Sequence, residues 1–167
     1  QWTQMPASAG GPLGPTPMAH DSRRALCVAL AANGTFEWVG SGFVAIPTTT
    51  TPPPRRSAAL VYDAFRERVV LFGGRNPGSS TRGDVYEYDG VDWTQRFPLG
   101  PTPRRNSIGM VYDPTLQAVR GFAGMEVQVT LGGLITTGYA YVDELRYEAA
   151  APPVAETYAQ GCYFASS

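Results

Sequence analysis

The chain has 167 residues, 43% of them hydrophobic, and a formal net charge of −1. That is enough for one domain with a core, and it gives no electrostatic case for nucleic acid or an anionic membrane. All 13 basic residues are arginine and the only histidine is His20. Schiff-base chemistry, a phosphate-loop lysine and any site with two imidazole ligands are therefore excluded.

With 19 Gly and 15 Pro, the chain is composed for many short strands joined by turns. In chain order, the first unit spans about residues 17–45. Its "AHDSRRALCVALAANG" (19–34) predicts a strand, a turn started by Asp21, an apolar strand and a tight Asn33-Gly34 turn. "GTFEWVGSGFVA" (34–45) follows, and a Thr/Pro-rich joint runs to Pro54. The second unit, about 54–95, predicts four strands at 57–62, 68–72, 84–88 and 92–95. Asp63 starts the first turn, Gly73-Gly74 end the apolar run "RVVLF", and Asp89-Gly90 is a hairpin signal. The third unit, about 103–149, repeats the pattern with Arg120 and Gly121 in the apolar strand. Its long loop "MEVQVTLGGLITTGYAYV" (125–142) alternates enough for an extra hairpin around Gly132-Gly133. The repeat region thus covers 1–151, and 152–167 reads as a tail or the start of a further module.

The units are copies. "VYDAFRERVVLFGG" (61–74) and "VYDPTLQAVRGFAG" (111–124) align without a gap at an offset of 50 residues. "DVYEYDGVDWTQ" (84–95) aligns at the same offset with residues 34–45, and "DELRYEA" (143–149) is a weaker third copy. "WTQ" at 2–4 repeats 93–95, and "GPTP" at 14–17 repeats 100–103. A period near 50 with several short strands per unit points to propeller blades or another β-array.

A Pro-Arg lead, a Tyr-Asp turn, an apolar strand closed by "GG", then "DVYEYD" and a Trp resemble the kelch repeat, best over residues 54–93. The "WTQ" phrases and proline-rich joints look like those of secreted bacterial members. The resemblance implies an all-β fold of four-stranded antiparallel blades whose glycines and aromatics are structural. Closed propellers typically need about 4–8 blades, whereas three units fit here. The expectation is a partial or divergent β-propeller, with open ends that self-associate or with residues 2–4 closing onto 143–149.

Four arginines are the candidate ligand-binding residues: Arg55, Arg56, Arg104 and Arg105. Each pair leads into a first strand, which in kelch-like folds lies nearest the central channel. There the planar forks would converge on a carboxylate, phosphate or sulfated sugar. The alternative is that they pair with acids such as Asp63 or Glu87, or solvate a strand end. Glu37 and Glu87 occupy equivalent positions in different units, too far apart to share a proton. The tyrosines recur at blade positions, and His20 replaces Tyr62 and Tyr112, so packing explains both. Cys27 is read as a small buried hydrophobe, a disulfide partner of Cys162 or a redox group. The copper radical oxidases of this family need two histidines, and its iron-dependent specifier proteins need clustered acids. Neither pattern is met, so no catalytic residue, metal or cofactor is assigned.

The expected function is a non-catalytic binding or scaffold module of a secreted or cell-surface protein, engaging a protein or glycan. The alternative is a divergent carbohydrate-active enzyme or lectin-like propeller. No nucleic acid and no membrane span are expected; no apolar run approaches the roughly 20 residues that a helical span needs. No basic-then-apolar leader opens the chain, so an export signal is expected to have been removed or never to have existed. The absence of lysine and the Thr/Pro-rich joints fit an exported bacterial protein.

Overall fold

The computed structural model describes residues 10–76, 80–97, 103–130, 133–138 and 144–148. Among these the protein is all β, without a helix and so without one long and apolar enough to cross a membrane. Strands β1 (Met18–Asp21), β2 (Leu26–Ala31), β3 (Gly34–Trp38) and β4 (Phe43–Ile46) form a first antiparallel sheet in that order. β5 (Ala59–Asp63), β6 (Arg68–Phe72), β7 (Val85–Tyr88) and β8 (Trp93–Arg96) form a second of identical topology. In the third, β10 (Ala118–Phe122) lies between β9 (Gly109–Asp113) and β13 (Glu144–Glu148). β11 (Met125–Thr130) and β12 (Gly133–Gly138) form a separate hairpin inserted before β13.

Each sheet opens with the same hairpin, and one aspartate explains it. Asp21 Oδ1 accepts the backbone N–H groups of Arg23 and Arg24, Asp63 those of Phe65 and Arg66, and Asp113 those of Thr115 and Leu116. The short carboxylate thereby satisfies two donors that a four-residue loop leaves without strand partners. The last loop residue is left-handed each time, although none is glycine: Ala25, Glu67 and Gln117 have φ of 53°, 56° and 49°.

Strand β6 dictates the stacking. Val69 and Leu71 point to one face and Val70 and Phe72 to the other, and all four are buried. The first face, with Leu60, Tyr62, Tyr86, Tyr88 and Trp93, packs against Ala19, Val28 and Leu30 of the first sheet. The second, with Ala59 and Val85, packs against Ile108 and Val119 of the third. β5 lies beside both β1 and β9, so the innermost strands adjoin. The three sheets form a row, and no closed ring is seen among the described residues.

The strand boundaries differ from expectation by one or two residues, with local causes. β5 starts at Ala59 because Ser57 is left-handed, with φ of 54°, as is Ser107 at 55°. Asp84 precedes β7 because its side chain holds Arg55. Asp92 precedes β8 because its carboxylate accepts the N–H groups of Trp93 and Thr50. In the first sheet Ala31 pairs with Gly34, so Ala32 and Asn33 form the turn. In the extra hairpin Thr130 pairs with Gly133, and the residues between them lie outside the described ones. Residues 2–4 and the 152–167 tail also lie outside them, so the expected closure onto 143–149 does too. The third sheet has three described strands where four were expected.

The glycine pair marks a crossing. Gly73 (φ 66°) and Gly74 (φ 85°) turn where residues 105–106 pass, and the Gly74 N–H donates to the Arg105 carbonyl at 2.8 Å. A Cβ on Gly73 would meet that carbonyl oxygen at 2.2 Å, whereas one on Gly109 would meet nothing within 4 Å. Gly73→Ala therefore combines backbone strain with a main-chain clash and should cost at least about 2 kcal/mol. Gly109→Ala should leave stability within about 0.5 kcal/mol of the parent. Urea unfolding of the two variants checks the contrast.

Candidate functional site

The structure separates the four candidate arginines into two kinds. Arg55 has a side chain only 1% exposed. Its guanidinium spans both oxygens of Asp84, at 2.5 and 3.0 Å, donates to the Gly73 carbonyl at 3.0 Å and lies over the Tyr86 ring. Arg105 is buried at the equivalent corner of the third unit and donates to the Ala123 carbonyl, also at 3.0 Å. Both clamp the carbonyl where the second strand ends. Arg56 and Arg104 are exposed. Arg56 is held through its backbone, which pairs with Arg75, and among the described residues no ion pair is seen for either side chain. The four do not converge on one point.

Arg104 instead lines an open cleft of about 620 Å³ beside β7 and β8. Arg82 and Arg96 also line it, together with Asp84, Gln95 and Phe97 and the loop residues Asn76, Ser80 and Thr81. Arg82 reaches it by donating Nε–H to Asn76 at 3.1 Å and by pairing with Asp84 at 3.3 Å. Arg96 is fixed through its Nε–H, which donates to Glu87 at 2.7 Å. Each contact uses one edge of the fork and leaves further donors of the five a guanidinium carries. Sequence reading missed Arg82 and Arg96; the signal was arginine at each end of a unit's outer hairpin.

The electrostatics are lopsided. Three guanidiniums face one carboxylate, and Asp84 is already held by Arg55 and Arg82. His20 lies on β1 and does not line the cleft. The Ser80 and Thr81 hydroxyls thus have no imidazole beside them. Among the described residues no group of three or more His, Cys, Asp or Glu could hold a metal. The arrangement suits an anionic, planar or tetrahedral group, with the exposed Phe97 ring offering a stacking face.

The other conspicuous acids are structural. Arg24 bridges Asp21 at 2.7 Å and Glu37 at 2.5 Å, while the Tyr88 hydroxyl donates to Glu37 at 3.1 Å across the first and second sheets. Burial, and then the Glu37 charge, push the Tyr88 hydroxyl well above its usual range. Arg66 and Arg96 likewise hold Glu87, which is buried in the second sheet. Cys27 is half-buried and in no described disulfide; Cys162 lies outside the described residues.

Two pairs of variants test this division. Arg55→Ala leaves Asp84 with Arg82 alone and removes the donor on the Gly73 carbonyl, and should cost about 2–3 kcal/mol, whereas Arg104→Ala should cost under about 0.5 kcal/mol; thermal and urea unfolding measure both. The turn aspartates should differ with pH. Burial raises Asp63 and its backbone and Arg66 contacts do not fully offset this, so its folded carboxyl sits above the usual value. Burial also opposes ionisation of Asp21, but Arg24 wins and holds it below. A raised acid costs stability as pH climbs past about 3.9, and a lowered one contributes stability that is lost below that value. The effect of Asp63→Asn relative to the parent should grow more favourable from about pH 3.5 to 7, and that of Asp21→Asn less favourable across about pH 2.5–5.

No protein-family model matches the chain, and no curated protein matches it.

Proposed function

We propose that this chain is a non-catalytic binding module built from kelch-like blades, part of a secreted or cell-surface protein, and that it engages an acidic group of a protein or glycan partner. The observation that carries the reading is the cleft: Arg82, Arg96 and Arg104 around about 620 Å³, with a lone carboxylate already claimed by two arginines. Such a site attracts negative charge, and its one carboxylate is engaged by Arg55 and Arg82. Support for the kelch-like reading comes from the second sheet, where the Tyr-Asp hairpin, the glycine corner and the paired aromatics Tyr88 and Trp93 fall in one four-stranded meander. The Thr/Pro-rich joints and lysine-free composition support an exterior, bacterial setting.

A glycan array that includes sulfated and uronate-bearing sugars, run with acidic peptides and a glycosidase panel, tests the proposal. Binding should weaken as salt screens the arginines, and Arg104→Ala should reduce it about tenfold or more. Turnover of any glycan would refute the non-catalytic part; salt-insensitive binding unaffected at Arg104 would remove the cleft from it.

A further inference from the structure

Two acids of the second sheet, Asp84 and Glu87, are held in the same way. Glu87, with a side chain only 1% exposed, is gripped on one oxygen by Arg66 and on the other by Arg96. Asp84 is spanned by Arg55, and Arg82 adds a contact to Oδ2. Each acid thus has an inner arginine and an outer one. The inner side chains, Arg66 and Arg55, are 15% and 1% exposed. The outer ones, Arg96 and Arg82, are 37% and 29% exposed, and both line the cleft.

The first sheet separates what the fold requires from what it does not. Glu37 stands at the position of Glu87, and Arg24, placed in its turn as Arg66 is, holds it. The second partner of Glu37 is the Tyr88 hydroxyl, not another arginine. Thr35 pairs with Ile46 where Val85 pairs with Arg96. At the 50-residue offset Gly34 takes the place of Asp84, and Pro54 that of Arg104. Only Ala32 and Asn33 join β2 to β3, so the loop that carries Arg82 has no counterpart. A sheet of this topology therefore forms with the inner arginine and the glutamate alone, and the outer arginines are additions.

The consequence for binding is geometrical. A long side chain on an edge strand samples many rotamers, and a ligand that takes it up must immobilise it. Glu87 removes that cost beforehand. It accepts the Arg96 Nε–H at 2.7 Å, which fixes the guanidinium plane. Among the described residues no bond is seen to Nη1 or Nη2 of Arg96. Those two nitrogens form the edge that meets a carboxylate or sulfate with parallel bonds. Without such a role, a buried negative charge behind an anion site only repels what the site attracts.

We infer that Glu87 is a positioning residue for the cleft: it keeps the Arg96 fork aimed at an anionic group, as Asn76 and Asp84 hold Arg82. This rests on the cleft being the binding site.

The sign of one substitution tests it. Glu87→Gln keeps the shape of the side chain and removes a negative charge, so charge alone would tighten anion binding. Positioning requires the reverse, binding weaker by about threefold or more, the cost of ordering one long side chain. Calorimetric titration with a heparin tetrasaccharide and with hexaglutamate measures this, with circular dichroism to verify folding. A second readout uses the parent chain and decides the matter if the variant does not fold. In NMR spectra the Arg96 Nε–H should exchange with solvent more slowly than that of Arg104, and it should keep its resonance when either probe saturates the site. Unchanged or tighter binding by Glu87→Gln, or loss of the Arg96 Nε–H signal on binding, would overturn the inference; the cleft itself stands in that case if Arg104→Ala still weakens binding. Failure of both probes to bind the parent chain would remove the cleft, and the role of Glu87 with it.

Discussion

The second sheet has no polar face. Val69 and Leu71 on one side and Val70 and Phe72 on the other all need cover, and burying each side chain yields on the order of 1.5–3 kcal/mol only when a neighbouring sheet supplies it. A four-stranded meander with this content is not a stable object alone. The first and third sheets exist in register with it because they complete its two interfaces, and the repeated aspartate hairpins set the inner strands side by side so that they can.

Arginine is the other constraint. In a chain without lysine, the buried Asp21, Glu37 and Glu87 are each answered by a planar fork, whereas the buried Asp63 is held by the backbone N–H groups of its own turn. Arg55 grips Asp84 with two parallel bonds and turns a third donor to the Gly73 carbonyl. Arg24 joins Asp21 to Glu37 and rests on the Tyr88 ring at 5.6 Å. A lysine at either place would supply one point charge and no plane. Where the third unit drops this arrangement it drops both partners: Leu116 stands at the position of Arg24 and Arg66, and Arg146 at that of Glu37 and Glu87. Losing one alone would have left a buried charge unanswered.

Binding and stability use the same residue type at neighbouring points. Arg82 and Arg96 each spend one side of the guanidinium on the fold and face the cleft with the rest, so the site is positioned by the contacts that hold β7 and β8. Arg104 is the free member, outside that framework and exposed. A surface of this kind recognises charge with little reorganisation, because two of its three cations are already fixed.

What the sequence determined was whatever depends on short range. The alternation of "VYEY" and the continuous "RVVLF" specify strands buried on both faces; Asp21, Asp63 and Asp113 specify hairpins, since a carboxylate two residues from an N–H needs no distant partner. The 50-residue offset transferred the assignments of 61–74 to 111–124 and of 84–95 to 34–45, and the all-β class of antiparallel meanders followed. Tertiary structure alone decided the arginines. Arg55 and Arg56 are adjacent in sequence and look alike, yet one is buried on Asp84, 29 residues away, and the other is exposed. Nor does any local pattern gather Arg82, Arg96 and Arg104 at one cleft. Their meeting depends on where β8 ends and where the third unit crosses Gly73, and long-range chain geometry of that kind is not encoded in the neighbours of any one residue.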